Sequence, residues 1–135
     1  MQTVNSTPVW GIRSASWWMI MLVAIGLLFI GLRFLFYPAA GATGFGIPFH
    51  DAADAAYGRI KGIRDIYCGI LLCILLALHE RRLTGFVFGA AIIIPFTDGL
   101  IVLNTNGIGD VAHLSIHWGT VLFALIAELL LLRHH

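Results

Sequence analysis

Long apolar runs, broken by short polar interruptions, set the pattern of this chain. Four of them stand out: Ala15 to Phe36, Ala55 to Leu78, Leu83 to Leu103 and Val111 to Leu132. Each is near the ~20 residues that a helix needs to cross a bilayer core. Alternation of strand type is absent, and backbone groups in lipid must be satisfied within their own segment, so the runs predict helices. The expected fold is all-α, an integral membrane four-helix bundle over residues 15–133. An N-terminal segment, 1–14, precedes it. His134 and His135 form a tail, native or left from a purification tag, and receive no role. Only Arg13 precedes the first run, which is longer than the 7–15 residues of a signal core, so no separate signal peptide is expected.

The connections differ in kind. Glu80-Arg81-Arg82 is a tight turn, which makes the second and third spans antiparallel neighbours. The segment from Tyr37 to Asp54 is a long loop rich in Gly and Pro that also carries Phe45, Ile47 and Phe49. It reads either as a lid over the bundle or as a connector packed by its own aromatic residues. Residues 104–109 form a turn. Four spans leave both termini on one side, with Arg13, Arg81, Arg82 and Arg133. The positive-inside rule places that side in the cytoplasm and the chain in a bacterial inner membrane, with Trp10, Trp17 and Trp18 as an interfacial belt. The Tyr37–Asp54 loop is then an outer loop.

Composition agrees with a membrane setting. Hydrophobic residues make up 59% of the chain and charged residues 11%, against about 25% charged in soluble domains. Net charge is +1, which gives no footprint for nucleic acid. Cys68 and Cys73 lie five positions apart on one helix, so their side chains diverge by about 140° and an internal disulfide is not expected.

Against this background the ionisable residues within the spans are the informative ones. Arg33, Lys61, Arg64, Asp65, Asp98, His113 and His117 all fall in the same half of the membrane, whereas the other half is hydrocarbon apart from Glu128. A charge at the bilayer centre costs about 2.5–3.5 kcal/mol on the lenient insertion scale. In the second span, Tyr57, Lys61, Arg64 and Cys68 share one stripe, and Gly58, Gly62, Asp65 and Gly69 form the next, suited to a close helix contact. In the fourth, Asp110, His113, His117, Thr120, Ala124 and Glu128 form one face. Pro95 breaks the hydrogen-bond ladder of the third span one turn before Asp98. Gly85 and Gly89 form a G-x-x-x-G, compatible with packing within one chain or in a homodimer.

Each group has a plain reading beside a functional one. Arg33, Arg64, Asp65 and Asp98 make interhelical ion pairs or serve a ligand. Lys61 snorkels to the surface or faces a groove. Glu128 pairs with Arg133 or with the Arg81-Arg82 turn. His113 and His117, at i and i+4, present nitrogens on one face as zinc sites do, but two ligands fall short of a site. The simpler expectation is no metal and no cofactor, and a neutral His oriented by Asp98 or Asp65, as acid–base chemistry requires.

Gly31-Leu32-Arg33-Phe34, Pro38 and Phe45-Gly46-Ile47-Pro48, followed by Lys61-Gly62-Ile63-Arg64-Asp65, Pro95-Phe96-Thr97-Asp98-Gly99 and His113, resemble an uncharacterised family of small four-helix membrane proteins with a DoxX-like architecture. The family is catalogued as a domain of unknown function. Some fungal relatives belong to pathways for aromatic polyketides, where they are thought to assist isomerisation or dehydration. The resemblance singles out the same charged residues.

The expected function is a polar pocket in the outer half of the bilayer that binds a small lipophilic molecule bearing an anion or carbonyl. Arg33, Arg64, Lys61 and Tyr57 would hold the ligand, and Asp98, Asp65, His113 and His117 would move protons in an isomerisation, dehydration or cyclisation. The alternatives are a small dimeric proton-coupled transporter and a structural or accessory membrane subunit.

Overall fold

A computed structural model describes residues 10–133. The expected roles of segment 1–9 and of the tail His134-His135 lie outside the described residues. Six helices follow in order: α1 (Ala15–Phe36), α2 (Pro38–Phe45), α3 (Asp54–Ala77), α4 (Arg81–Ala91), α5 (Ile93–Asn106) and α6 (Val111–Arg133). No strand occurs among the described residues. α4 and α5 continue one another as a broken rod, Arg81–Asn106. The break at Ile92 has a chemical cause. Pro95 lacks the N–H that would bond the carbonyl of Ala91, and its ring crowds that carbonyl, so α4 ends at Ala91.

Three helices are long and apolar enough to cross a membrane: α1, the α4–α5 rod and α6. Leucine and isoleucine side chains are exposed along all three, as a lipid environment requires. The second predicted span, α3, is long enough but carries Lys61, Arg64 and Asp65 in its apolar stretch, so its composition departs from the other three. The Tyr37–Asp54 connection is not a plain loop, because α2 occupies its first half. Pro38 at the first helical position and Gly46 just past the end are the residues that start and stop a helix. Gly46 has φ +103°, and the N–H of Ile47 bonds the carbonyl of Ala42 to close the cap.

Lipid tails are as apolar as leucine, so close contact rather than hydrophobic burial must hold such helices together. α1 and α3 show how. A Cβ on Gly31 would lie 2.7 Å from the carbonyl oxygen of Gly62, and one on Gly62 would lie 2.7 Å from that of Gly31. The expected glycine stripe of α3 thus seats its backbone directly on α1. The main apolar cluster sits nearer the chain termini, where Ile20 and Ala24 meet Leu72, Leu76, Phe88 and Ala127. At that end, Trp17 donates its indole N–H to the carbonyl of Leu76 at 3.3 Å, and His79 donates from Nδ1 to the carbonyl of Trp10 at 2.8 Å. Gly85 and Gly89 of the G-x-x-x-G face Leu131 and Glu128 of α6, so the motif serves packing within the chain.

Candidate functional site

At the opposite end, under α2, the helices part around a cavity of about 250 Å³. Arg33 reaches it from the end of α1, Lys61 and Asp65 from α3, Asp98 from α5 and His117 from α6. Gly41, Gly44 and Phe45 of α2 form its roof, and the guanidinium of Arg33 lies along Gly44, 3.4 Å from where a Cβ would stand. Beyond these groups the walls are apolar, with Leu27, Leu72, Phe88 and Ile92 toward the core. The chamber therefore has a polar head and an oily foot.

The geometry of the head follows from short-range chemistry. Lys61 donates from Nζ to Asp65 Oδ2 at 2.7 Å, one helical turn on. The same ammonium lies 5.0 Å from the Phe34 ring centroid and 5.2 Å from that of Phe45, within cation–π range. The expected snorkelling does not occur, because the carboxylate and two aromatic faces give the ammonium partners inside. His117 donates from Nε2 to the carbonyl of Phe45 at 3.0 Å. The acceptor has no proton, so the proton is on Nε2, and Nδ1 keeps its lone pair in the neutral ring. Phe45 also packs edge-on against His117, with centroids 4.7 Å apart, and against Phe34 at 6.3 Å. One residue of α2 thus fixes the imidazole and covers the ammonium.

Several expected pairings are replaced. Neither histidine is oriented by Asp98 or Asp65: His117 uses Phe45, and His113 donates from Nδ1 to Asp110 at 2.7 Å. The ion pairs among the described residues are Lys61–Asp65 and His113–Asp110, both within one helix or its first turn. Arg33, Arg64 and Asp98 therefore form no interhelical pair among the described residues. Among the described residues Glu128 forms no ion pair with an arginine. Arg81 instead donates from Nε to the carbonyl of Leu131 at 2.9 Å, and from Nη2 to the same oxygen, because the last carbonyls of α6 lack helical partners. Glu128 sits one turn deeper, where its Oε2 is buried with no hydrogen-bond partner among the described residues.

Of the residues expected at the site, Arg33, Lys61, Asp65, Asp98 and His117 meet in the chamber. Tyr57 is exposed one turn beyond Lys61, and Arg64 is exposed on the outer surface of α3. His113 belongs to a neighbouring cluster. Asn106 donates from Nδ2 to the carbonyl of Gly46 and to Asp110, both at 2.6 Å, and His113 packs over Gly46. These contacts pin the end of α2 to the α5–α6 turn. The Asn106 side chain, and next the His113 ring, hold the Asp110 carboxyl below the usual carboxylate range. Among the described residues no three of His, Cys, Asp or Glu converge as metal ligands.

Sequence reasoning missed Phe34, Phe45 and Cys68 as parts of the chamber. The signal for the roof was present in Pro38 and Gly46 as start and stop residues. Nothing in the apolar pattern distinguished Phe34 from its phenylalanine neighbours.

No curated protein and no solved structure matches the chain. A family model described as "Domain of unknown function (DUF4267)" matches residues 24–131, from the middle of α1 to the last turns of α6, and so takes in every polar residue of the chamber. The chain is accordingly a member of the DUF4267 family.

Proposed function

We propose that this protein is a four-span integral membrane bundle that binds a small lipophilic molecule through an oxyanion or carbonyl group and shifts a proton on it. In this reading α3 also crosses the bilayer, since Lys61 and Asp65 offset each other and face inward, while Arg64 reaches to the interface. Positive-inside bias would put the chain termini in the cytoplasm and the chamber in the outer half of the membrane, as in an inner-membrane protein of DoxX-like architecture. The observation that carries the proposal is the convergence of Arg33, Lys61, Asp98 and His117 from four separate helices on one cavity whose remaining walls are apolar.

The chemistry is that of enolisation. A carbonyl oxygen held by Arg33 and facing the Lys61 ammonium gains stronger partners as charge develops on it. The Asp98 carboxylate, which has no ion-pair partner among the described residues, takes the proton from the adjoining carbon. It returns that proton at a different carbon, and the sum is an isomerisation with no net gain or loss of atoms. His117, with its lone pair on Nδ1, is the second proton carrier. Elimination of water from a β-hydroxy carbonyl uses the same enolate. Such reactions agree with the role thought to be played by fungal relatives in polyketide pathways.

The test uses benzoate as a tail-less carbonyl anion, with protein in lipid nanodiscs and saturation-transfer NMR as readout. Binding should weaken at least tenfold in Arg33→Gln and shift in pH dependence in Asp98→Asn, each variant retaining its thermal transition. Unchanged benzoate binding in both variants overturns the proposal. A second reading draws on Glu128, whose Oε2 has no hydrogen-bond partner among the described residues, in the other half of the bundle. Asp98 and Glu128 would then be the two stations of a proton-coupled transporter. Proton flux into liposomes that disappears in Glu128→Gln would favour that reading.

A further inference from the structure

A second space adjoins the chamber on the side between α1 and α6, a groove of about 390 Å³ that runs down the outside of these two helices. Five residues, Val23, Leu27, Ile30, Ile116 and Thr120, line both the groove and the chamber, so only these side chains stand between the two spaces. Gly26 and Gly119 also line the groove. These glycines differ from those of the α1–α3 contact. A Cβ on Gly31 or Gly62 would strike backbone, whereas one on Gly26 or Gly119 would meet nothing within 4 Å. They leave open space where the helices diverge. Toward the chain termini both helices contribute to the buried apolar cluster, with Trp17 and Ile20 from α1 and Ala127 and Leu131 from α6.

Chemistry narrows what the groove can hold. Among the described residues no charged one lines it. Its hydroxyl, on Thr120, is already committed to the carbonyl of Ile116 at 2.8 Å. Of the two spaces, only the chamber carries charged groups that can grip a head. The chamber alone, at about 250 Å³, falls below the ~300 Å³ at which ligand pockets usually begin. A ligand larger than its polar head must therefore continue somewhere, and the groove is the space that shares a wall with the chamber.

We infer that the α1–α6 groove is a lateral portal that seats the hydrocarbon tail of a single-chain amphiphile whose oxygen-bearing head lies at Arg33, Lys61 and Asp98. The inference rests on the head-binding reading above and adds the class of ligand and its route, sideways from the lipid. A chain lying along Gly26 and Gly119 exchanges lipid contact for protein contact at small cost, and the head gains its partners only after passing Ile30 and Ile116.

The test is photolabelling in proteoliposomes with a palmitic acid that carries a diazirine in its tail, mapped by peptide mass spectrometry. Label should concentrate on residues 22–30 and 116–123, and excess palmitic acid should reduce it at least fivefold there. Gly119→Phe and Gly26→Phe fill the groove from opposite walls and should each produce the same loss, whereas Ile101→Phe, on the exposed face of α5, should leave labelling unchanged. Even labelling over all exposed helices, or labelling that palmitic acid does not compete, means bulk lipid in the groove and overturns the portal. Cross-linked pairs of chains through residues 116–123 mean that a second copy fills the groove, and they overturn the portal equally. Benzoate binding separates this inference from the one beneath it. If Arg33-dependent benzoate binding persists in Gly119→Phe while palmitate labelling is lost, the portal stands as drawn. If palmitate labels the groove but benzoate ignores Arg33, the head site is wrong and the groove remains.

Discussion

Two glycines thirty-one positions apart, Gly31 and Gly62, determine how closely α1 and α3 approach. The neighbours that a Cβ on Gly62 would meet are the carbonyl oxygen of Gly31 at 2.7 Å and the backbone nitrogen of Leu35 at 2.8 Å. Backbone cannot swing aside as a side chain can, so Gly62→Ala should cost about 1–3 kcal/mol and lower Tm by more than about 4 °C in nanodiscs. Gly26→Ala, facing open space, should hold or raise Tm, since alanine is the better helix former, and serves as the control. Asp110 gives a second prediction at this scale. Its carboxyl is held low by Asn106 and His113, so the folded state gains from the charged form. That gain is complete above the ordinary carboxylate range and fades as pH falls through the lowered value. The Tm difference between wild type and Asp110→Asn should thus be constant near neutrality and shrink below about pH 4. A difference that grows on acidification would contradict this sign.

Among the elements, the broken rod has the most direct link to the site. Ala91, Ile92, Pro95 and Asp98 all line the chamber, so the break at Ile92 lies beside the acid. Pro95→Ala restores an N–H for the carbonyl of Ala91 and should close the break. Tm should hold or rise, because proline is the poorest residue in a helix interior, while benzoate binding falls at least tenfold. Parallel loss of both would mean that the break serves stability alone. The α3–α4 turn offers a different test. His79 sits at φ +56°, a left-handed conformation that favours glycine. Its ring also donates to Trp10. Both replacements lose that bond, but only His79→Ala keeps the steric penalty, so it should be less stable than His79→Gly by about 1 kcal/mol. The helices could be read from apolar run length, since lipid leaves the backbone no other choice. α2 could not, because eight residues rich in alanine and glycine carry no apolar stripe, and its helix shows only in Pro38 and Gly46.

For the whole molecule, sequence spacing predicts one depth for the polar residues, and the structure shows which of them line the chamber. Depth depends on residue count along each helix. Facing depends on how neighbouring helices rotate and on which partner each long side chain selects. Lys61 and Arg64 share a stripe, yet Lys61 turns in because Asp65 lies one turn on and Phe34 and Phe45 offer their faces. His113 and His117 share a stripe too, yet Asp110 claims the first and the roof carbonyl claims the second. The second of these choices is made across some seventy residues of sequence, and no local pattern encodes it.

The slot beside Gly26 and Gly119 bears on how the protein is handled. Alkyl maltosides and glucosides are themselves slender molecules with one greasy chain and an oxygen-rich cap, and millimolar micelles present them in vast excess. Extraction into such detergents should saturate the opening and mask any weaker guest, so that purified material looks inert. Transfer to polymer-bounded discs of two-chained phospholipid, which removes the single-chained competitor, should unmask it.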